Sequence, residues 1–119
     1  MVADRHVVMR RRDVRIERTR QSFDAAAEFL GLDPKSVRQS GQYVAGTMFA
    51  AKPAALRPLL EKPLVAEMFD PPEGHLTETF AHVMERALGL SVGAAGLRIE
   101  AFNGSLGLRR LWYRLRDLF

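Results

Sequence analysis

Cysteine is absent from the 119 residues. Its absence excludes disulfides, thiolate metal ligands and a cysteine nucleophile. Long apolar runs are missing as well, and nothing approaches the roughly 18 residues needed to cross a bilayer. The first 20 residues are rich in arginine and contain no long apolar stretch, so no signal peptide is expected. Asp4, Asp13 and Glu17 argue against a transit peptide. The expected location is therefore cytoplasmic. No internal repeat, low-complexity tract or linker divides the chain, and its length suits a single domain, 1–119.

The residues present are those of a globular protein. An apolar fraction of 47% with 27% charged residues is enough to build a core and argues against disorder. The net charge is +4, and its distribution is uneven. Residues 1–20 hold seven arginines against three acids, and residues 98–119 hold five against two. The middle of the chain has six bases and nine acids. Nearly all the bases are arginine, whose planar fork suits phosphate and carboxylate.

Residues 13–18 alternate polar and apolar, which predicts a strand with Val14 and Ile16 inward. Val7, Val8 and Met9 begin the same strand or form a separate one. Ser22 is the expected N-cap of a helix ending at Gly31. Asp33-Pro34 starts a second, short helix that stops by Gly41. Residues 42–49 read as a strand rich in aromatic and β-branched residues. Pro53, Pro58 and Pro63 predict short helical pieces, broken or kinked at Pro58 and Pro63. Residues 70–74 form a loop. His75 to Leu90 is the clearest helix, with Leu76, Phe80, Val83, Met84, Ala87 and Leu90 on one side and Gly89 and Gly93 closing it. Leu97, Ile99 and Ala101 mark a third strand, Asn103-Gly104 a turn, and residues 106–119 an amphipathic helix. The expected fold class is α+β: a small sheet of about three strands packed against four to five helices in one layered domain.

Four patterns bear on chemistry. His75, Glu78, His82 and Glu85 share a helix face at a spacing that can ligate a metal. That face lies opposite the apolar stripe, so it is expected to be solvated, and no metal is assigned. Asn103-Gly104-Ser105-Leu106-Gly107 resembles the nucleophile elbow of the α/β-hydrolases, with Asn103 in place of the first glycine. That family needs a histidine after the serine, and none follows Ser105. The same turn could hold an anion near Arg109 and Arg110, or Ser105 could simply cap the last helix.

Residues 26–38 resemble the helix-turn-helix segment of bacterial regulators. Ala27 stands under the turn, Gly31 makes it, and Leu30, Leu32 and Val37 lock the two helices. The resemblance implies that Lys35, Ser36 and Arg38 open a recognition helix in the major groove. Gln39-Ser40-Gly41 departs from the pattern by ending that helix early, and a strand follows where a third helix belongs. The alternative is an ordinary helix corner in an α+β fold.

The fourth pattern is the basic ends. Arg10, Arg11, Arg12 and Arg15, with Lys35 and Arg38 and with Arg109, Arg110 and Arg114, are the candidate nucleic-acid-binding residues. Arginines on neighbouring elements contact phosphates without sequence preference. The last helix also resembles an interfacial amphipath, although docking on the core or on a second copy explains its stripe. No catalytic residue and no cofactor is assigned. Nothing pairs a nucleophile with a base, so the balance is against an enzyme. The expected function is a small binding or interaction protein that contacts nucleic acid or another polyanion through its arginine-rich elements. The alternative is a protein–protein module or homodimer without nucleic acid, with a helix-turn-helix regulator or a metal-dependent enzyme behind it.

Overall fold

The computed structural model describes residues 1–69 and 79–102. In chain order the strands and helices are β1 (Val2–Asp4), β2 (Val8–Arg10), α1 (Glu17–Leu30), α2 (Pro34–Ser40), β3 (Gln42–Val44), β4 (Phe49–Ala50), α3 (Pro53–Leu60), α4 (Phe80–Ala94) and β5 (Glu100–Phe102). Single 3₁₀ turns lie at Arg11–Asp13, Ala45–Thr47 and Ala66–Met68. The α+β class read from the sequence is present, with a three-stranded sheet and a two-stranded ribbon beside the helices. The expected turn at Asn103, helix at 106–119 and loop at 70–74 fall outside the described residues.

The strand expected at residues 13–18 is not formed. Only Val14 to Ile16 are extended between the 3₁₀ turn and α1. The helical period wins here because the buried face of α1 continues back through Ser22 to Thr19, in step with Phe23, Ala26, Ala27 and Leu30. Ile16 is consequently 67% exposed, while Val14 remains inside. Ser22 lies within α1 and is not its cap; its hydroxyl donates to the Thr19 carbonyl. Gly31 ends α1 in the left-handed region at φ 72°, as a helix-terminal glycine does. Asp33 caps α2 by accepting from the amides of Lys35 and Ser36.

The segment expected as one strand over 42–49 is broken. Gly46 (φ 75°) and Thr47 (φ 54°) are both left-handed and separate β3 from β4. α3 begins on Pro53 and runs through Pro58, ending at Leu60 ahead of Pro63. Gly89 does not close α4, which continues to Ala94; Gly96, at φ 69°, turns the chain after it.

α4 is the central element. α1 and α3 pack along it, and β3 crosses it where Gly89 allows backbone to approach backbone. The main core joins Phe23, Leu30, Val37, Tyr43, Ala87 and Leu90. A smaller core places Met1, Ala3, Val44, Ala55 and Val92 under the sheet. There β1 pairs antiparallel with β4 and parallel with β5. The ribbon pairs β2 with β3, aligning Arg10 with Gln42. Among the described residues no helix is long and apolar enough to cross a membrane.

Thr47 is a β-branched, exposed residue in a region that such residues avoid. Asparagine tolerates that conformation, so Thr47→Asn is expected to stabilise the fold by about 0.5–1 kcal/mol. Urea denaturation reads this directly, and a loss of stability would mean that the threonine side chain contributes more than its backbone strain costs.

Candidate functional site

The sequence-derived candidates divide into groups. Arg10 ends β2, and Arg11 and Arg12 form the 3₁₀ turn that follows. The Arg11 amide donates to the Gly41 carbonyl, which seats this turn against the end of α2. Arg10 and Arg12 then line one shallow recess of about 160 Å³, together with Gln39, Ser40, Gly41 and Gln42. Arg12 is more than half exposed and lies 3.9 Å from the equally exposed Asp13, a contact of little energetic weight. Arg15 and Lys35 are exposed. Arg109, Arg110 and Arg114 lie outside the described residues, as does the Ser105 turn.

Arg11 and Arg38 converge on Asp24 of α1. Arg38 donates to both carboxylate oxygens, at 2.9 and 3.5 Å. That hydrogen bond, added to the negative charge of Asp24, raises the Arg38 pKa above its ordinary value. Arg11 turns inward: its side chain is only 10% exposed, its Nη2 is 3.8 Å from Asp24, and its guanidinium lies 5.9 Å over the Phe23 ring. The Arg11 Nε is buried and has no acceptor among the described residues.

The helix corner that resembles helix-turn-helix forms around Gly31 and Asp33, with Val37 buried beneath it. α2 is followed by β3 rather than by a third helix, and Arg38 points to Asp24.

The metal-spaced face does not behave as a solvated face. His75 and Glu78 lie outside the described residues. The His82 ring accepts at Nδ1 from the Thr79 amide at the start of α4. Glu85 is drawn inward, its side chain only 18% exposed. One carboxylate oxygen accepts the Gly46 amide at 2.7 Å, and the other accepts from Arg86 at 2.7 Å. Arg86 is buried, donates also to the His82 carbonyl, and stacks 4.8 Å over the Tyr43 ring. The helical wheel misjudged this face because α4 is packed on several sides. Tyr43, Arg86 and Glu85 thus hold the exposed left-handed turn at Gly46–Thr47. Sequence reasoning missed this chain of contacts. Its signal was available: Arg86 stands three residues after Val83 and four before Leu90, at the flank of an apolar stripe.

Removing the Glu85 charge takes from buried Arg86 the carboxylate that accepts from it at 2.7 Å, and from the Gly46 amide its acceptor. Glu85→Gln should therefore cost about 2–3 kcal/mol, below the full 3–5 for a buried pair because Glu85 is partly solvated. Guanidinium denaturation monitored by circular dichroism would measure this. A change under about 0.5 kcal/mol would show that the pair is energetically idle.

A larger cleft of about 460 Å³ runs between α2 and the end of α4, walled by Leu32, Val37, Leu90, Leu97 and Ile99, with Arg98 at its rim.

Comparison with known proteins adds one likeness. The chain is 38% identical over 68 residues to uncharacterized protein WxcX from two strains of Xanthomonas campestris pv. campestris. The matched segment is 57% of this chain and 10% of those relatives, so the likeness covers a small part of much longer proteins. No family model matches the chain, and no solved structure matches it. The name WxcX carries no chemistry, so the site has to be judged on its geometry.

Proposed function

We propose that this chain is a cytoplasmic, non-catalytic binding module that contacts the phosphate backbone of nucleic acid at the corner where residues 10–12 meet α2. The observation that carries this reading is that Arg10 and Arg12 line one recess. Gln39, Ser40 and Gln42 line the same recess, the Ser40 hydroxyl donating to the Ser36 carbonyl and keeping its oxygen as an acceptor. Two arginines and two glutamines at one recess supply donors that suit phosphate oxygens, and such contacts give affinity without base readout. Arg15 and Lys35 are exposed cations on the segments that flank this corner.

The double variant Arg10→Glu/Arg12→Glu tests the location. Both residues are exposed, so the fold should survive, and affinity for a labelled single-stranded RNA should fall at least tenfold at low salt. Unchanged affinity would move the contact elsewhere on the chain.

A second reading has its own observation. Leu60, Leu64, Val65 and Phe69 are 69%, 41%, 52% and 41% exposed within ten residues. Exposed apolar surface of this kind marks protein contacts. Homodimerisation through that stretch predicts a concentration-dependent mass by light scattering that Val65→Asp abolishes; a constant monomer mass at high concentration rules it out.

A further inference from the structure

Two arginines share Asp24, and the sharing runs opposite to their need. Arg38 has an exposed side chain (55%) and takes the carboxylate at 2.9 Å. Arg11 is nine-tenths buried; among the described residues its carboxylate partner is Asp24 at 3.8 Å, and its buried Nε has no acceptor. A buried guanidinium gains far more from a close carboxylate than an exposed one, because water already compensates the exposed charge.

We propose that Asp24 is an exchangeable counter-ion and that Arg38 is a phosphate-contacting residue of the same corner. When a phosphate oxygen takes Arg38, Asp24 transfers to the Nε–Nη2 edge of Arg11. This inference rests on the nucleic-acid reading above. The movement is small: closing 3.8 Å to a charge-assisted length of about 2.8 Å needs roughly 1 Å, within the reach of an aspartate rotamer. Arg11 is flanked in sequence by Arg10 and Arg12, and Arg38 is followed by Gln39; the two arginines meet at Asp24 and do not themselves line the recess. Binding phosphate at Arg38 then leaves no buried charge worse paired than before. Arg11 gains the partner that Arg38 gives up, so the exchange offsets the loss of the Arg38–Asp24 pair.

The test uses the full chain with nitrogen-15-labelled arginine and a short oligouridylate as probe. The Arg11 Nε–H resonance is expected to move downfield during the titration. In Arg38→Ala it should already sit near that position without RNA, because Asp24 is free to move. Arg38→Ala should also lower the salt slope of binding by about one. Circular dichroism confirms that the variant is folded. Binding with the Arg11 signal unmoved overturns the exchange and leaves the nucleic-acid reading standing. A displaced Arg11 signal in Arg38→Ala with no RNA binding by the wild type overturns that reading and, with it, the assignment of Arg38 as a phosphate contact.

Discussion

Phe23→Ala is expected to cost about 3–5 kcal/mol, close to the whole stability of many small domains. Phe23 is fully buried, on the face of α1 that meets the main core. Its ring meets Tyr43 edge-on at 5.2 Å, and the Arg11 guanidinium lies over it. Truncation therefore opens a cavity where α1, β3 and the basic turn join. It also strips an aromatic face from a buried cation, so Arg11 should become more exposed. Chemical denaturation gives the energy, and a cost under about 1 kcal/mol would mean that neighbouring side chains collapse into the space. Phe23→Leu, which keeps most of the volume, should cost clearly less.

Gly89→Ala is expected to be similarly damaging, at about 2–3 kcal/mol net. Alanine normally favours a helix interior over glycine by about 1 kcal/mol. Here an added Cβ would sit against the Gln42 carbonyl oxygen and 2.5 Å from the Tyr43 Cα. Both are backbone atoms and cannot rotate away, so α4 and β3 must separate. That separation would disturb Tyr43, which supports Arg86, and Gln42, which walls the recess. A stabilised Gly89→Ala protein would show that α4 has room to shift. Gly93→Ala is the control: a Cβ there meets nothing within 4 Å among the described residues, and the helix should gain slightly.

Parts of this fold were legible in the sequence because their causes are local. Asp33-Pro34 and Gly41 gave the bounds of α2, through a cap, a fixed φ and a helix-ending turn. Gly31 gave the end of α1 for the same kind of reason. The start of α1 was missed because residues 13–18 satisfy a period of two, while their membership of the helix depends on what Thr19 and Ser22 bury against. β5 lies at the end of the alternation Leu97, Ile99, Ala101 and β4 at the end of the stretch 42–49, whereas β1, three residues at the start of the chain, carries no pattern of its own. Their pairing joins the first residues to those near 50 and 100, which no local signal encodes. The basic residues were visible as a cluster. Their division into Arg10 and Arg12 on the recess and Arg11 and Arg38 on Asp24 depends on the direction of the 3₁₀ turn, which only the packed corner sets. The Glu85–Arg86 support of the Gly46 turn was hidden because a helical wheel assumes a single buried side.

The most direct measurement is fluorescence anisotropy of the wild-type chain with labelled single-stranded RNA and duplex DNA across a salt series. Contact through Arg10, Arg12 and Arg38 predicts binding to both that survives near 0.15 M salt, with log affinity falling by roughly two to three units per tenfold rise in salt. No binding even at the lowest salt would contradict the proposed function and leave the exposed apolar stretch at Leu60–Phe69 as the surface to pursue.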